Sequence, residues 1–506
     1  MRGPEKGRSL MRFPTLNRRW SVSVVILVIG LTGFGSLPLV EARQDDAATA
    51  SPVSSSLQWG PCDDVPDAEC ASIDVPIDPA QPDGDQLSLR LGRLPALDPS
   101  HSQGSLLLIP GGPGVGISAA GGQFVVLRPL FHLDELRQTF DVVTYDPRGI
   151  GESRPVLCAP GPVPDAGMTS TASDGVLSAD AFAALADPDA AFAEGCLSAT
   201  GELFRHLSAN DSASDIEHIR QALGQDDGLV AYAGSYGTLY ATAYLEQYGD
   251  HVKALVLDGV VDHSVDLATY GARWARSTDD ALNRFVQWCD RETSCALHGQ
   301  DVAAVFAQVA AAHPEIKPVV RARLSAGSTD LGWPAIAELL ATAEAGEPVP
   351  ASPQPEASPV STDATLDIGG AGQFRAVLCA DYGPQDDYAA LAADNAALAR
   401  QAPHFAWLFP EELPGACVGW PWEATNPPHD LQVGPQPNVL VANATHDPAT
   451  PLVAAVAVWS QIPQSRLLIA DADGHQVWPF SRCAFEAEVR FLTDPSSLDA
   501  TTYCPN

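Results

Sequence analysis

Short apolar runs recur along the first half of the chain and again near its end. Residues that favour turns, mainly Gly, Pro and Asp, separate these runs, which is the pattern of buried strands. The pattern predicts strands at 71–77, 86–94, 105–109, 141–145, in the stretch that begins at 228, and at 254–258, 438–442 and 465–469. Several of these runs are apolar throughout, as in strands that are buried on both faces.

Apolar residues at helical spacing lie between and after these strands. They predict helices at 181–197, 212–223, 238–248, 269–288, 302–312, 333–343, 388–401, one that ends near 460, and 481–492. Strands that alternate with helices predict an α/β fold, with a mostly parallel central sheet and helices on both of its faces. Between 260 and 437 the strand pattern stops, so we expect a mainly helical cap at 260–437, inserted between core segments 59–259 and 438–506.

The N-terminus has the pattern of an export signal. Arg12, Arg18 and Arg19 precede an apolar run at 20–40. Residues 1–42 are therefore a secretory signal peptide or, uncleaved, a membrane anchor. A polar linker follows at 43–58. In either case the rest of the chain is exported, and it is either secreted or anchored at the outer face of the membrane.

Composition narrows the range of partners. The chain has 506 residues, 45% of them apolar, and a formal net charge of −35. Such an acidic chain is a poor match for nucleic acid or an anionic membrane surface. We therefore expect no nucleic-acid partner, membrane contact only through the N-terminal anchor, and a monomer.

The ten cysteines fall into pairs that are close in sequence. In an exported chain an even number of cysteines predicts disulfides. The expected bridges are Cys62–Cys70, Cys158–Cys196, Cys289–Cys295, Cys379–Cys417 and Cys483–Cys504. Neither Cys-x-x-Cys nor His-Glu-x-x-His occurs, so the sequence offers no support for a metal site, and we expect no cofactor.

A serine stands in a turn between a strand and a helix. The apolar run from 228 leads into Ala233-Gly234-Ser235-Tyr236-Gly237, and the predicted helix at 238–248 follows. This arrangement is typical of a nucleophile elbow, in which small neighbours make room for a strained serine. An ordinary Gly/Ser turn is the alternative explanation of these five residues.

A glycine-rich loop, Pro110 to Gly116, follows the strand at 105–109. Such a loop can cradle a dinucleotide or can supply an oxyanion-hole amide in an α/β-hydrolase. Pro113 suits a phosphate cradle badly because it has no N–H, and a nicotinamide enzyme outside the cell is improbable. We favour the oxyanion hole, built from the backbone N–H groups of Gly112 and Tyr236.

The remaining catalytic groups follow from chain order. A serine nucleophile needs a base, and the base needs a carboxylate to orient it. Ser235, Asp447 and His475 occur in the α/β-hydrolase order, each just after a predicted strand. Asp258 is the rival acid, and the Asp-Pro-x-Thr-Pro turn favours Asp447 because its prolines make that loop rigid. We assign no catalytic role to His446, which is next to Asp447 in the chain.

Four ordered motifs carry a family resemblance. They are Gly-Gly-Pro-Gly at 111–114, Asp-x-Arg-Gly-x-Gly-x-Ser at 146–153, Gly-Ser-Tyr-Gly-Thr at 234–238, and the Asp447-Pro448 turn. From about residue 59 onwards the chain resembles the proline iminopeptidase and tripeptidyl aminopeptidase-like α/β-hydrolases. Pro110, Ala233 and Gln476 depart from the usual His, Gly and Gly of that pattern. The resemblance implies a peptide substrate and a serine exopeptidase that forms an acyl-enzyme.

Two other functions stay open from the sequence: a secreted carboxylic-ester hydrolase and a non-catalytic binding protein. An aminopeptidase must bind the free ammonium group of its substrate, and a buried ammonium needs a carboxylate partner. The candidates are Asp279, Asp280, Glu292, Asp381, Glu411 and Glu412. We prefer Asp381 because a bridge at Cys379 would hold it rigidly.

Overall fold

The computed structural model describes residues 57–63, 65, 67–117, 128–158, 178–347, 366–367, 369–406 and 413–505. The predicted signal or anchor at 1–42, all but the last two residues of the linker, and the candidates Glu411 and Glu412 lie outside these residues. In the described ranges, no helix combines the length and apolar character needed to cross a bilayer.

A ten-stranded sheet forms the centre of the molecule. With a separate two-stranded pair, the strands in chain order are β1 (Gly60–Pro61), β2 (Glu69–Pro76), β3 (Gln86–Leu94), β4 (Ser105–Ile109), β5 (Asp141–Tyr145), β6 (Leu157–Cys158), β7 (Leu229–Gly234), β8 (Val252–Asp258), β9 (Leu366–Asp367), β10 (Val439–His446), β11 (Arg466–Asp473) and β12 (Thr501–Cys504). The spatial order is β1-β2-β3-β5-β4-β7-β8-β10-β11-β12. The first four of these strands pair antiparallel, and every pairing from β5 to β12 is parallel.

Helices cover both faces of this sheet and form the cap. In chain order they are α1 (Leu133–Leu136), α2 (Ala179–Thr200), α3 (Ala209–Ala222), α4 (Gly237–Tyr248), α5 (Leu267–Arg291), α6 (Val302–Ala312), α7 (Ile316–Leu324), α8 (Trp333–Glu344), α9 (Gly369–Tyr382), α10 (Tyr388–Gln401), α11 (Leu452–Gln461) and α12 (Arg482–Thr493). Several begin at the caps that the sequence offers: Ser208 opens α3 with a capping box, and the Asp266 carboxylate accepts from the N–H of Thr269 in α5.

Within the described ranges, the buried apolar residues form three clusters. One joins one face of the sheet to α3, α4 and α9, and another joins the opposite face to α1 and α12. The third lies between α5, α6, α7, α8 and α10 and is the core of the cap. Helix α9 therefore packs on the sheet side, although it lies inside the segment 260–437 that we expect to form the cap.

The alternation of strands and helices confirms the predicted α/β fold. The sequence pattern missed the helices α1, α7 and α9 and the strands β1, β6, β9 and β12. Helix α9 begins Gly-Gly-Ala-Gly and α7 contains Pro318, so neither has a strong helical pattern. Strand β12 is a short edge strand held beside β11 by Cys504, whose partner is Cys483.

Five disulfides are present, and among the described residues no cysteine is free. They join the sequence-local pairs Cys62–Cys70, Cys158–Cys196, Cys289–Cys295, Cys379–Cys417 and Cys483–Cys504. Cys379–Cys417 ties α9 to the segment that leads back to the sheet, which suits the burial of α9 on the sheet side. Bridges of this kind are worth about 2–4 kcal/mol each.

Candidate active site

Ser235 lies in the turn between β7 and α4. Its φ is 55°, an uncommon value for a residue with a side chain, and its N–H donates to the Asp258 carbonyl at 2.9 Å. A Cβ atom on Gly237 would lie 2.5 Å from the Ile109 carbonyl oxygen. Gly237, two residues after the serine, is thus required by the close approach of β4. The strained conformation of Ser235 is the one that a nucleophile elbow needs.

The chain brings Asp447 and His475 into direct contact. Asp447 follows β10, His475 follows β11, and these two strands are parallel neighbours, so their carboxyl ends lie side by side. The Nδ1 atom of His475 lies 2.9 Å and 3.0 Å from the two carboxylate oxygens of Asp447. This is the contact that orients an imidazole and selects the tautomer with a free Nε2.

Several other donors hold the Asp447 carboxylate in place. It accepts from the N–H groups of Ala449 and Thr450, at 2.9 Å and 2.8 Å, and from the N–H of Gln476 at 3.0 Å. The carboxylate is buried, with 1% of the residue exposed. These hydrogen bonds fix both carboxylate oxygens beside the His475 ring, where they can stabilise a histidinium.

The neighbouring Asp447 carboxylate changes the pKa of His475. Burial lowers the pKa of the imidazole, but the charge of Asp447 and its hydrogen bond raise it more, and the net pKa lies above that of an ordinary histidine. The charge of Asp258 adds a smaller increase. Asp447 therefore makes His475 a stronger base than a free imidazole.

The rival acid, Asp258, has other partners. Its carboxylate accepts from the Val477 N–H, at 2.9 Å and 3.0 Å for the two oxygens, and from the Tyr232 hydroxyl at 2.7 Å. His446 lies 3.6 Å from Asp280 on the cap. The contact to His475 Nδ1 thus comes from Asp447; the role of Asp447 as the catalytic acid stays a prediction.

Ser235 and His475 line the same cavity, which has a volume of about 390 Å³. Apolar side chains dominate its walls, among them Leu108, Val115, Leu130, Phe131, Trp478 and Phe480. No Asp, Glu, Lys or Arg is among the described residues that line it. The cavity therefore suits an uncharged, apolar part of a substrate next to the serine.

The predicted oxyanion loop borders this cavity. Gly111 and Gly112 both line it, and a Cβ atom on Gly111 would lie 2.8 Å from the Cβ of Ser235. Gly112 has a φ of 103°, which favours glycine. The loop and the elbow are therefore in close contact, which suits the pairing of Gly112 and Tyr236 as donors to an oxyanion; that role stays a prediction.

The cap contacts both loops that carry the candidate acid and base. The Thr278 hydroxyl in α5 donates to the Pro448 carbonyl at 2.9 Å, and Arg284 in the same helix forms an ion pair with Asp473. The N–H of His475 donates to the Ser325 carbonyl, just after α7, at 2.9 Å. The position of the cap and the geometry of the site are thus linked.

Asp381 differs from its expected role. It is fully buried and is not among the described residues that line the cavity. Its carboxylate accepts from the Ala209 N–H at 2.8 Å, the Tyr236 hydroxyl at 2.7 Å and the Asn426 amide at 3.3 Å. Burial raises its pKa to about 7 in spite of these hydrogen bonds. Asp381 supports the Tyr236 side chain beneath the elbow, and its oxygens are buried rather than exposed to the cavity that Ser235 lines.

The other described candidates for binding a substrate ammonium group either contact other residues or are exposed away from the cavity. Asp279 accepts from the backbone and the ring of His404, and Asp280 lies beside His446. Glu292 is exposed at the end of α5. None of the three is among the cavity-lining residues. In the part of the chain that is described, no cluster of three His, Cys, Asp or Glu residues could hold a metal ion.

The sequence prediction did not recognise Thr450 as a residue of the site. Its hydroxyl donates to Asp447 Oδ2 at 3.0 Å and lies 3.3 Å from His475 Nδ1. Thr450 is the threonine of the Asp-Pro-x-Thr-Pro turn, so the motif contained the signal. Thr450 lies two residues after Pro448, so its hydroxyl can reach back to the Asp447 carboxylate that begins the turn.

Comparison with known proteins identifies the family of this chain. The family model described as "alpha/beta hydrolase fold" matches residues 104–478. The chain is 30% identical to a tripeptidyl aminopeptidase of Streptomyces lividans over 465 residues, covering 86% of this chain and 84% of the relative. It is 28% identical to serine protease Hip1 of Mycobacterium tuberculosis over 509 residues, covering 93% and 94%, and 28% identical to carboxylesterase B of the same species over 530 residues, covering 95% and 98%. These matches confirm the resemblance predicted from the sequence motifs, and the chain belongs to the alpha/beta hydrolase fold family.

Proposed function

We propose that this protein is a serine peptidase that releases short units from the free N-terminus of peptides. Ser235 is the nucleophile, His475 the base and Asp447 the residue that orients the base. The observation that carries the assignment is the Asp447–His475 pair, 2.9 Å apart, beside a cavity that the strained Ser235 also lines. The chain order of the three residues is that of α/β-hydrolases.

The proposed reaction proceeds in two halves. The Ser235 Oγ atom attacks the scissile carbonyl carbon while its proton passes to His475 Nε2, and the new oxyanion accepts from the N–H groups of Tyr236 and Gly112. The C–N bond then breaks, and His475 gives the proton to the leaving amine. A water molecule then gives a proton to His475 and attacks the acyl carbon; the bond between that carbon and Ser235 Oγ breaks, His475 returns the proton to Oγ, and the carboxylic acid product leaves.

The substrate class rests on the relatives. The relatives named serine protease and tripeptidyl aminopeptidase favour a peptide substrate. The apolar cavity suits an uncharged side chain beside the scissile bond. The ammonium group of the substrate would then lie beyond this cavity, at a distance set by the number of residues released.

A carboxylic-ester hydrolase is the second candidate function. The same three residues hydrolyse esters, and the chain covers 98% of a relative named carboxylesterase B. We also propose that the protein is exported and acts as a monomer. The five disulfides support an oxidising compartment.

A substrate scan separates these functions. Free-amine peptides of two to eight residues are incubated with the purified protein and the products are read by mass. Two sets of matched substrates are used. One set is the same peptides with an acetylated N-terminus, and the other is esters in which a methyl ester replaces the scissile amide. We expect N-terminal fragments of one constant length, and acetylation to lower kcat/KM by at least about tenfold, which is roughly 1.4 kcal/mol. Equal cleavage of free and acetylated peptides would remove the aminopeptidase assignment, and turnover of esters alone would establish the second candidate.

A further inference from the structure

Gln476, which follows the proposed catalytic histidine, has an unfavourable backbone conformation. Its φ is 72°, a value that glycine adopts without strain and that costs energy for a residue with a side chain. Strained residues of this kind persist where their surroundings hold them in place. The contacts of the Gln476 side chain identify what holds it.

The side chain points inward and fills a space left by two glycines. Only 9% of Gln476 is exposed. A Cβ atom on Gly234 would lie 1.9 Å from Gln476 Nε2, and a Cβ atom on Gly259 would lie 2.9 Å from Gln476 Cγ. Gly234 immediately precedes Ser235, so the glutamine side chain lies directly against the elbow.

The amide also enters a chain of hydrogen bonds. Gln476 Nε2 donates to the Tyr232 hydroxyl at 3.0 Å, and that hydroxyl donates to Asp258 at 2.7 Å. Asp258 in turn accepts from the N–H of Val477. The indole of Trp478 stacks on the Tyr232 ring, with centroids 3.8 Å apart. Three consecutive residues after His475 are thereby fixed to the strands β7 and β8 that flank the elbow.

We propose that Gln476 is a positioning residue that fixes the His475 imidazole relative to Ser235, and that Gly234 lacks a side chain because the Gln476 amide occupies that space. The inference rests on the proposed serine, histidine and aspartate mechanism. It goes beyond that mechanism because it assigns the geometry between base and nucleophile to a side chain that takes no part in proton transfer. In a catalytic site, misplacement by about 1 Å can cost up to about a hundredfold in rate.

The test is a suppressor experiment on the full chain. Gly234 has a backbone conformation that any residue can adopt, so the Gly234→Ala substitution adds no backbone strain. Its methyl group would clash only with the Gln476 amide, because the nearest atom outside that amide, in the Tyr232 ring, is 3.4 Å away. We expect it to lower kcat by about a hundredfold, with KM within about twofold. Gln476→Gly relieves the strained φ but removes the amide and its hydrogen bond to Tyr232, so kcat should fall by about tenfold.

The decisive variant carries both changes. Gly234→Ala with Gln476→Gly should recover to the kcat of Gln476→Gly alone, because the methyl group then occupies the emptied space. Gly434→Ala is the matched control, since a Cβ atom there meets nothing within 4 Å, and it should behave as the wild type. A double variant no more active than Gly234→Ala would overturn the proposal, because the glycine would then serve the elbow itself.

The outcome also separates this inference from the proposed function. The rate at which a fluorophosphonate labels the wild-type serine reports the base and nucleophile directly, whatever the natural substrate. No labelling of the wild type would refute the proposed mechanism. Wild-type labelling with an unchanged rate in Gln476→Gly would refute the positioning role alone. If Gly234→Ala does not fold, that last comparison still decides the question.

Discussion

Exchange of Asp447 for asparagine separates two carboxylates that the sequence alone leaves as rivals. The Asp447 carboxylate accepts from His475 Nδ1 and from the N–H groups of Ala449, Thr450 and Gln476. An asparagine keeps one acceptor oxygen and places an NH₂ group where the other oxygen was. In either orientation of the amide, that NH₂ group faces N–H donors that then lack an acceptor.

The expected magnitude follows from the lost charge and the lost tautomer. An amide can neither stabilise a histidinium nor keep the Nδ1 proton in place as the carboxylate does. We expect Asp447→Asn to lower kcat by about 10⁴, as exchange of a triad aspartate typically does, which corresponds to about 5.5 kcal/mol in activation free energy. The matched variant is Asp258→Asn, whose carboxylate accepts from Val477 N–H and Tyr232 but does not contact His475. There we expect a loss of about tenfold, as for one hydrogen bond to a charged group.

The pH profile supplies a second readout. The base must be neutral, so kcat/KM falls as the pH drops through the pKa of His475. Burial lowers that pKa, but the charge and hydrogen bond of Asp447 raise it above the ordinary value. The acid limb of the wild type should therefore lie at a higher pH than that of a free imidazole. In Asp447→Asn the raising cause is gone, so the limb of the residual activity should move to lower pH.

The assay is steady-state hydrolysis of one free-amine peptide by the wild type and the two variants between pH 5 and 9, the range in which a histidine titrates. Melting temperatures of the variants show whether either change acts through unfolding. If Asp258→Asn were crippled while Asp447→Asn retained most of its activity, the acid would be Asp258 and the assignment would be wrong.

Three further predictions concern single contacts. Thr450→Val should lower kcat by about tenfold and Thr450→Ser should restore it, because the hydroxyl bonds Asp447 beside His475; kcat measured across the three proteins decides. Arg148→Met should lower the free energy of unfolding by about 3–5 kcal/mol, since it leaves the buried Asp215 carboxylate without its ion partner; denaturant titration that showed less than about 1 kcal/mol would contradict this. Peptide mapping without reduction should show all ten cysteines in the five local bridges, and ten free thiols would defeat both the bridges and the exported location.

The parts of the site that the sequence predicts are those encoded locally. Ser235 stands in a turn whose small residues are adjacent in the chain, and Asp447 and His475 follow the predicted strands at 438–442 and 465–469 by five and six residues. Parallel strands bring their carboxyl ends to one edge, so the order of these residues along the chain is enough to predict their meeting. The same logic predicts the central sheet.

Contacts between distant segments were not predictable in this way. Gln476 packs between Gly234 and Gly259. These three residues lie at the ends of three different strands, β11, β7 and β8. From the sequence, Gln476 is only a departure from the usual glycine. Its fit depends on the register of β7, β8 and β11, which the hydrophobic pattern does not specify to the level of one side chain.

Asp381 shows the opposite error. Its place near a disulfide predicts rigidity, but rigidity does not indicate which way a side chain faces. Helix α9 buries it beneath the elbow, where Tyr236, Ala209 and Asn426 supply its hydrogen bonds. The helix that decides this begins with glycines and had no pattern by which the sequence could reveal it.

The most direct test of the account is the activity of Ser235→Ala on a free-amine peptide that the wild type cleaves. Ser235 is half-buried at the cavity and its hydroxyl is needed for chemistry, so the variant should fold as the wild type does. Loss of a triad nucleophile typically lowers kcat by about 10⁴ to 10⁶, and we predict a loss in that range with an unchanged melting temperature. A folded Ser235→Ala protein that retained more than about a tenth of the wild-type kcat would contradict the assignment of Ser235 as the nucleophile.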